Sequence, residues 1–197
     1  MSLNDWFKRD VSYDETIIIF LLIIMFSFIL RASNLYLFTY EEFWVVSINI
    51  GGTIFPIIFS IYLAVRCKLK PIKILIAIVI VSIIAYMAYY TKADEGIVSP
   101  FPLYLLPIII PFIISYLLIR KENRNIASLG YISGMFGILL GVTLFHLPEL
   151  LNIKIKYTTD VIIGVDSDSI LILGILAVIT EIILFYHKKR KSEREEY

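Results

Sequence analysis

The chain has 197 residues, 59% of them hydrophobic and 18% charged, with a mean hydropathy of +0.84; soluble domains stay near half apolar, so an ordinary soluble fold is excluded and a bilayer protein is indicated. The 18 Lys and Arg residues against 17 Asp and Glu leave a formal charge of +1, which provides no general attraction to nucleic acid. Cys67 is the single cysteine, so an internal disulfide and a cysteine-built metal centre are both excluded.

The charged residues cluster in short patches, and the apolar runs between them approach the ~20 residues that cross a hydrocarbon core as a helix. After a polar start in which Trp6 and Phe7 read as interfacial, the first run covers residues 16–31. It is short for a crossing unless Arg31 snorkels and the following LYLFTY continues it. The second run, 43–65, carries SINIGGTIFP, which places Ser47, Asn49, Gly51, Gly52, Thr53 and Pro56 inside the membrane. Paired glycines allow a close helix neighbour, Pro56 removes an internal hydrogen bond, and Asn49 would seek a partner.

The third span, 73–90, follows the basic RCKLKPIK and ends in the aromatic YMAYY, a composition suited to headgroup depth. The fourth, 97–119, contains Pro100, Pro102, Pro107 and Pro111. Pro107 and Pro111 predict a distorted helix that is not surrounded by lipid. In the fifth, 126–147, Gly130, Gly134, Gly137 and Gly141 recur at spacings of four, three and four, one stripe along which helices can touch closely. Thr143 and His146 lie just beyond it. A connection with strand-like NIKIKY and VIIG then predicts a short β-hairpin before the sixth span, 169–186, whose DSDS start supplies good helix caps. Glu181, near the cationic tail, is expected to snorkel towards Lys188 or Arg190.

These runs predict an all-α integral membrane protein, a single domain formed by a bundle of about six transmembrane helices with that short hairpin ahead of the last. Alternate segments hold 14 of the 18 Lys and Arg residues, which places both termini in the cytoplasm of a plasma-membrane protein. Asp160, Asp166 and Asp168 then fall at the outer face. The candidate catalytic residues are Asp166 and Asp168. The candidate binding residues are Asn49, Gly51, Gly52, Thr143, His146 and Asp168, while the four glycines of the fifth span are assigned to helix packing. His146 and His187 fall on opposite sides of the bilayer, so no metal site is predicted, nor is a cofactor.

INIGGTIFP in the second span, GIVSPFPLYLLP in the fourth, YISGMFGILLG in the fifth, and IG followed by DSDSILILGILAV at the sixth together resemble the prokaryotic membrane family called domain of unknown function 1614. The resemblance covers nearly the full length. It implies an Asp two residues after the last glycine of the fifth span and a glycine-rich stretch ending in Phe-Asp-Gly before the sixth. Asp168 matches the second acid, whereas Thr143 stands at the first position and VDSDS replaces the glycine-rich stretch.

Two aspartates so placed resemble presenilin-like and prepilin-peptidase-like intramembrane aspartyl proteases, in which paired carboxyls share a proton and activate water. With Thr143 in place of one acid, the sequence predicts an inactive relative. The broken second and fourth spans are compatible with a transporter or channel for a small solute or ion. Little charge lies in mid-span, and no internal repeat is visible. The residues therefore favour a structural or assembly role, with the lipid bilayer, a second copy or a membrane protein as partner and no nucleic acid.

Overall fold

A computed structural model describes residues 13–30, 32–40, 44–92, 95–119, 125–153 and 159–195. Trp6, Phe7, Arg31, the basic 120–124 connection and most of NIKIKY lie outside them. Among the described residues the chain is mostly helical, with small sheets at one end. Helix α1 spans Tyr13–Ile29, followed by strands β1 (Asn34–Tyr40) and β2 (Trp44–Asn49). A π-helical turn, Ile50–Ile54, runs into α2 (Phe55–Arg66), and α3 covers Pro71–Ala88. Strands β3 (Tyr90–Lys92) and β4 (Gly96–Val98) form a hairpin before a 3₁₀ turn, Leu103–Leu105, that leads into α4 (Leu106–Ile119). Helix α5 (Ile126–Ile138) continues through a second π segment, Leu139–Leu144, into α6 (Phe145–Leu151). Strand β5 (Thr159–Ile163) precedes the last helix, α7 (Ser167–Glu195).

Three helical runs, Pro71–Ala88, Ile126–Leu151 and Asp168–His187, are long and apolar enough to cross a bilayer; Glu15–Ile29, Ile50–Arg66 and Leu103–Ile119 are apolar but shorter. In the Ile126–Leu151 run 72% of the most apolar stretch is buried, against 28% and 33% in the other two long runs. This run is the hub of the bundle. Its glycines face different neighbours: Gly130 lies under the Phe112 ring, Gly134 against Leu173 and Pro111, and Gly137 and Gly141 against Val81 and Ser82 of α3. The stripe read as one face therefore serves three helices, because neighbours crowd the hub from several sides.

The strands lie beside one another at one end of the helices. Strand β2 pairs antiparallel with β1 and parallel with β5, giving the order β1-β2-β5. At the other end Arg66, only 2% exposed, forms an ion pair with Glu15 at 3.6 Å. The Cys67 thiol lies 3.3 Å from the Ser128 hydroxyl there, and Asn125 Nδ2 donates to the Cys67 carbonyl at 2.8 Å.

Several expectations are corrected. LYLFTY does not prolong the first helix, and residues 44–49 do not begin the second; alternating burial of Trp44 and Val46 stabilises a strand there, and LYLFTY pairs with it. The helix accordingly begins at Ile50. Pro56 sits in its first α turn, where the preceding π turn lets the Phe55 amide reach the Ile50 carbonyl five residues back. Pro107 is likewise in the first turn of α4, leaving Pro111 as that helix's internal proline. Among the described residues VIIG pairs, within β5, with β2 far back in the chain, and the NIKIKY half of the expected hairpin lies mostly outside those residues. Glu181 does not snorkel: packing of α7 in the bundle leaves it 5% exposed, with Oε2 unpartnered.

Candidate functional site

The loop between β5 and α7 is held from two sides by side chains of the π segments. From the first, Thr53 Oγ1 donates to the Ile163 carbonyl at 2.9 Å, and the Val165 amide donates to the Gly52 carbonyl at 3.0 Å. A Cβ on Gly52 would stand 2.4 Å from the Val165 carbonyl oxygen, so only glycine permits this approach. Asn49 supports the turn by accepting from the Gly52 amide while its Nδ2 donates to Asn34 Oδ1 at 2.7 Å. From the second segment, Thr143 Oγ1 donates to the Gly164 carbonyl at 3.0 Å. Backbone groups that would otherwise be unpaired between apolar helices are thereby satisfied.

This clamp delivers Asp166 to the start of α7. Its Oδ2 accepts from the Ser169 amide at 2.9 Å and its carbonyl from Ile170 at 3.1 Å, the bonding of a helix N-cap. Asp168 lies in the first turn, where the helix dipole favours a negative charge. Both side chains are exposed, yet both reach the same cavity.

That cavity, of about 740 Å³, opens at the strand-bearing end among α3, α4, the α5–α6 run, β5 and α7. Asp160, Asp166 and Asp168 contribute carboxylates, Ser99, Thr143 and Ser169 hydroxyls, and Tyr89 and Tyr104 phenols. No Lys, Arg or His is among the described residues that line it. Tyr89 follows the end of α3, and burial, then the Asp166 charge and Tyr104, push its phenol up to about 12. The walls beneath are apolar, including Ile108, Ile138, Val142 and Ile172.

The sequence-predicted residues divide into two groups. Thr143, Asp166 and Asp168 meet at the cavity. Asn49 and Gly52 lie behind it, bracing the loop that carries the acids, and Gly51 is buried in the same π turn. His146 also stands outside the lining: it is buried, Nδ1 lies 3.1 Å from the Gly141 and Val142 carbonyls, and Nε2 lies 3.1 Å from that of Tyr89. The Tyr86 ring covers it at 4.7 Å, so His146 links the end of α3 to the second π segment. Sequence reasoning places Asp160 with Asp166 and Asp168 at the outer face without naming it a site residue, and misses Tyr89, Ser99, Tyr104 and Ser169. Asp160 could have been added as the third acid of one short stretch, but Ser99 and Tyr104 carry no such signal because only tertiary packing brings them in.

Among the described residues no three His, Cys, Asp or Glu side chains are grouped to hold a metal. The cavity can instead offer diffuse negative charge, hydroxyl acceptors and aromatic faces, all suited to a cation that keeps part of its hydration. No curated protein matches the chain, and no solved structure does. The family model described as "Protein of unknown function (DUF1614)" matches residues 9–180, and the chain belongs to that family.

Proposed function

We propose that the protein crosses the membrane six times and binds a small cationic solute, such as an amine or guanidinium compound, in the acidic cavity at its strand-bearing end. One observation carries this reading: the cavity is lined by three carboxylates without a basic residue among those described. Its volume is within the range of about 300–1,000 Å³ usual for small-molecule sites. The predominance of Lys and Arg in the connections at the opposite end supports a cytoplasmic location for both termini and an outward opening.

Binding without hydrolysis fits these side chains better than an aspartyl protease. A hydrolase of that kind needs two carboxyls facing each other. Here Thr143 supplies a hydroxyl already bonded to Gly164, and Asp166 is engaged in capping. Purified protein in detergent at low ionic strength, titrated calorimetrically with putrescine, spermidine, arginine and tetramethylammonium, should show saturable binding of at least one. Joint replacement Asp160→Asn and Asp168→Asn should weaken it by about tenfold or more, the loss of roughly one charge-assisted contact. Absence of saturable binding across the panel, or affinity unchanged in the double variant, would refute the proposal.

A further inference from the structure

We infer that the β1–β2 hairpin lies in the headgroup layer of the bilayer at the strand-bearing end, with β1 covered by phospholipid. All seven β1 residues are exposed, among them Leu35, Tyr36, Leu37, Phe38 and Tyr40. Among the described residues the strand is also the edge of its sheet, so one row of its backbone groups meets no other described strand. Edge strands that face water are protected by charged residues, proline or strong irregularity. From Asn34 to Tyr40 there is no charge and no proline, and one register shift between Tyr36 and Phe38 is the sole such irregularity in the pairing.

The lengths of the flanking helices identify the covering medium. Glu15–Ile29 rises only about 22 Å and Ile50–Arg66 about 26 Å at 1.5 Å per residue, whereas the hydrocarbon core is ~30 Å thick. These are the two helices that the hairpin joins. When their opposite ends, marked by Glu15 and Arg66, sit at the other interface, the bilayer thins to meet these short helices and the headgroups are drawn down to the level of β1. Phe26, Phe28 and Ile29 at the end of α1 are exposed, as are Leu35 and Leu37 at the start of β1. Tyr36 and Tyr40 have the amphipathic rings that concentrate at headgroup depth, and Phe38 between them adds an apolar ring. At that depth water can satisfy the free strand edge, which pure hydrocarbon could not do. This inference rests on the reading of the helices as membrane spans, and is independent of what the acidic cavity binds.

The test places a nitroxide at Leu37→Cys, Phe38→Cys or, on the exposed face of α3, Val79→Cys, each in a Cys67→Ser background, in phosphatidylcholine vesicles. Collision with oxygen, which enters lipid, is compared with collision with a water-soluble nickel chelate. Oxygen should exceed nickel severalfold at all three sites, with Val79 deeper than the hairpin. Oxygen dominance at Val79 alone, with nickel dominance at Leu37 and Phe38, overturns the hairpin assignment and leaves the spans standing; nickel dominance at Val79 overturns the spanning reading itself. Protection from both reagents with spin–spin broadening at Leu37 assigns the edge to a second copy and overturns the lipid assignment. Should the cysteine variants fail to fold, Leu37→Trp with Cys67 intact gives the same decision: lipids brominated at shallow acyl positions must quench the added fluorescence, and lack of quenching rejects the inference.

Discussion

At the level of single residues, Asp166 and Asp168 stand two positions apart and have different partners. Asp166 caps the last helix through the Ser169 amide, while Asp168 lines the cavity from the first turn. Asp166→Ala should therefore lower unfolding stability by about 1 kcal/mol, the usual loss for a side-chain cap, read as a reduced melting temperature in detergent. Asp168→Asn keeps the helix start intact and should move ligand affinity far more than melting. Tyr89 gives a prediction of pH dependence. Its ordinary value is 10.0 and its folded value about 12, so the folded state favours the neutral phenol. The resulting stability is fully present below pH 10 and declines as pH rises from 10 through about 12. Tyr89→Phe should remove that part of the alkaline transition, followed by circular dichroism against pH.

At the level of elements, the crowded glycines of the α5–α6 run differ in what a methyl group would strike. On Gly141 it would lie 2.3 Å from the Ser82 carbonyl oxygen, a backbone atom held by α3; on Gly134 the closest atom is a Leu173 methyl at 2.6 Å. Gly141→Ala should cost about 1–3 kcal/mol as overpacking and Gly134→Ala less, since a leucine end can rotate. Thermal melts of the two variants in one detergent decide the order. The glycine repeat was legible because its small-residue spacing survives any tertiary context. The strands were not: LYLFTY and WVVSIN carry no charge and adjoin the apolar runs, so a hydropathy reading joins them to the spans, and only their pairing separates them. The same limit applies to the site. The acids of the 160–168 stretch and Thr143 can be singled out, whereas Asn49 and Gly52, expected as binding residues, act with Thr53 as struts, because their contacts reach Ile163, Gly164 and Val165, more than a hundred residues away.

For the whole molecule, polar chemistry is divided between two ends. One end has the sheets and the three cavity aspartates; the other has the Glu15–Arg66 pair and the connection carrying Lys68 and Lys70. In sealed, right-side-out vesicles an impermeant thiol reagent should label Asp160→Cys in a Cys67→Ser background, and should label Lys68→Cys only after the membrane is permeabilised. Reversed labelling would place the acidic cavity towards the cytoplasm.

The parallel pairing of Val46 with Val161 has a further consequence for biogenesis. A ribosome that has made the first two helices has produced β2 but none of its β5 partner, and the threonine at 143 has no Gly164 carbonyl to meet. Contacts so distant in sequence form slowly because the intervening chain must first be ordered. The acidic chamber can therefore be completed only once the chain beyond Thr159 has been made. A chain halted before Thr159 should insert its helices and yet show no cation binding, with one edge of β2 left open to capture by another polypeptide.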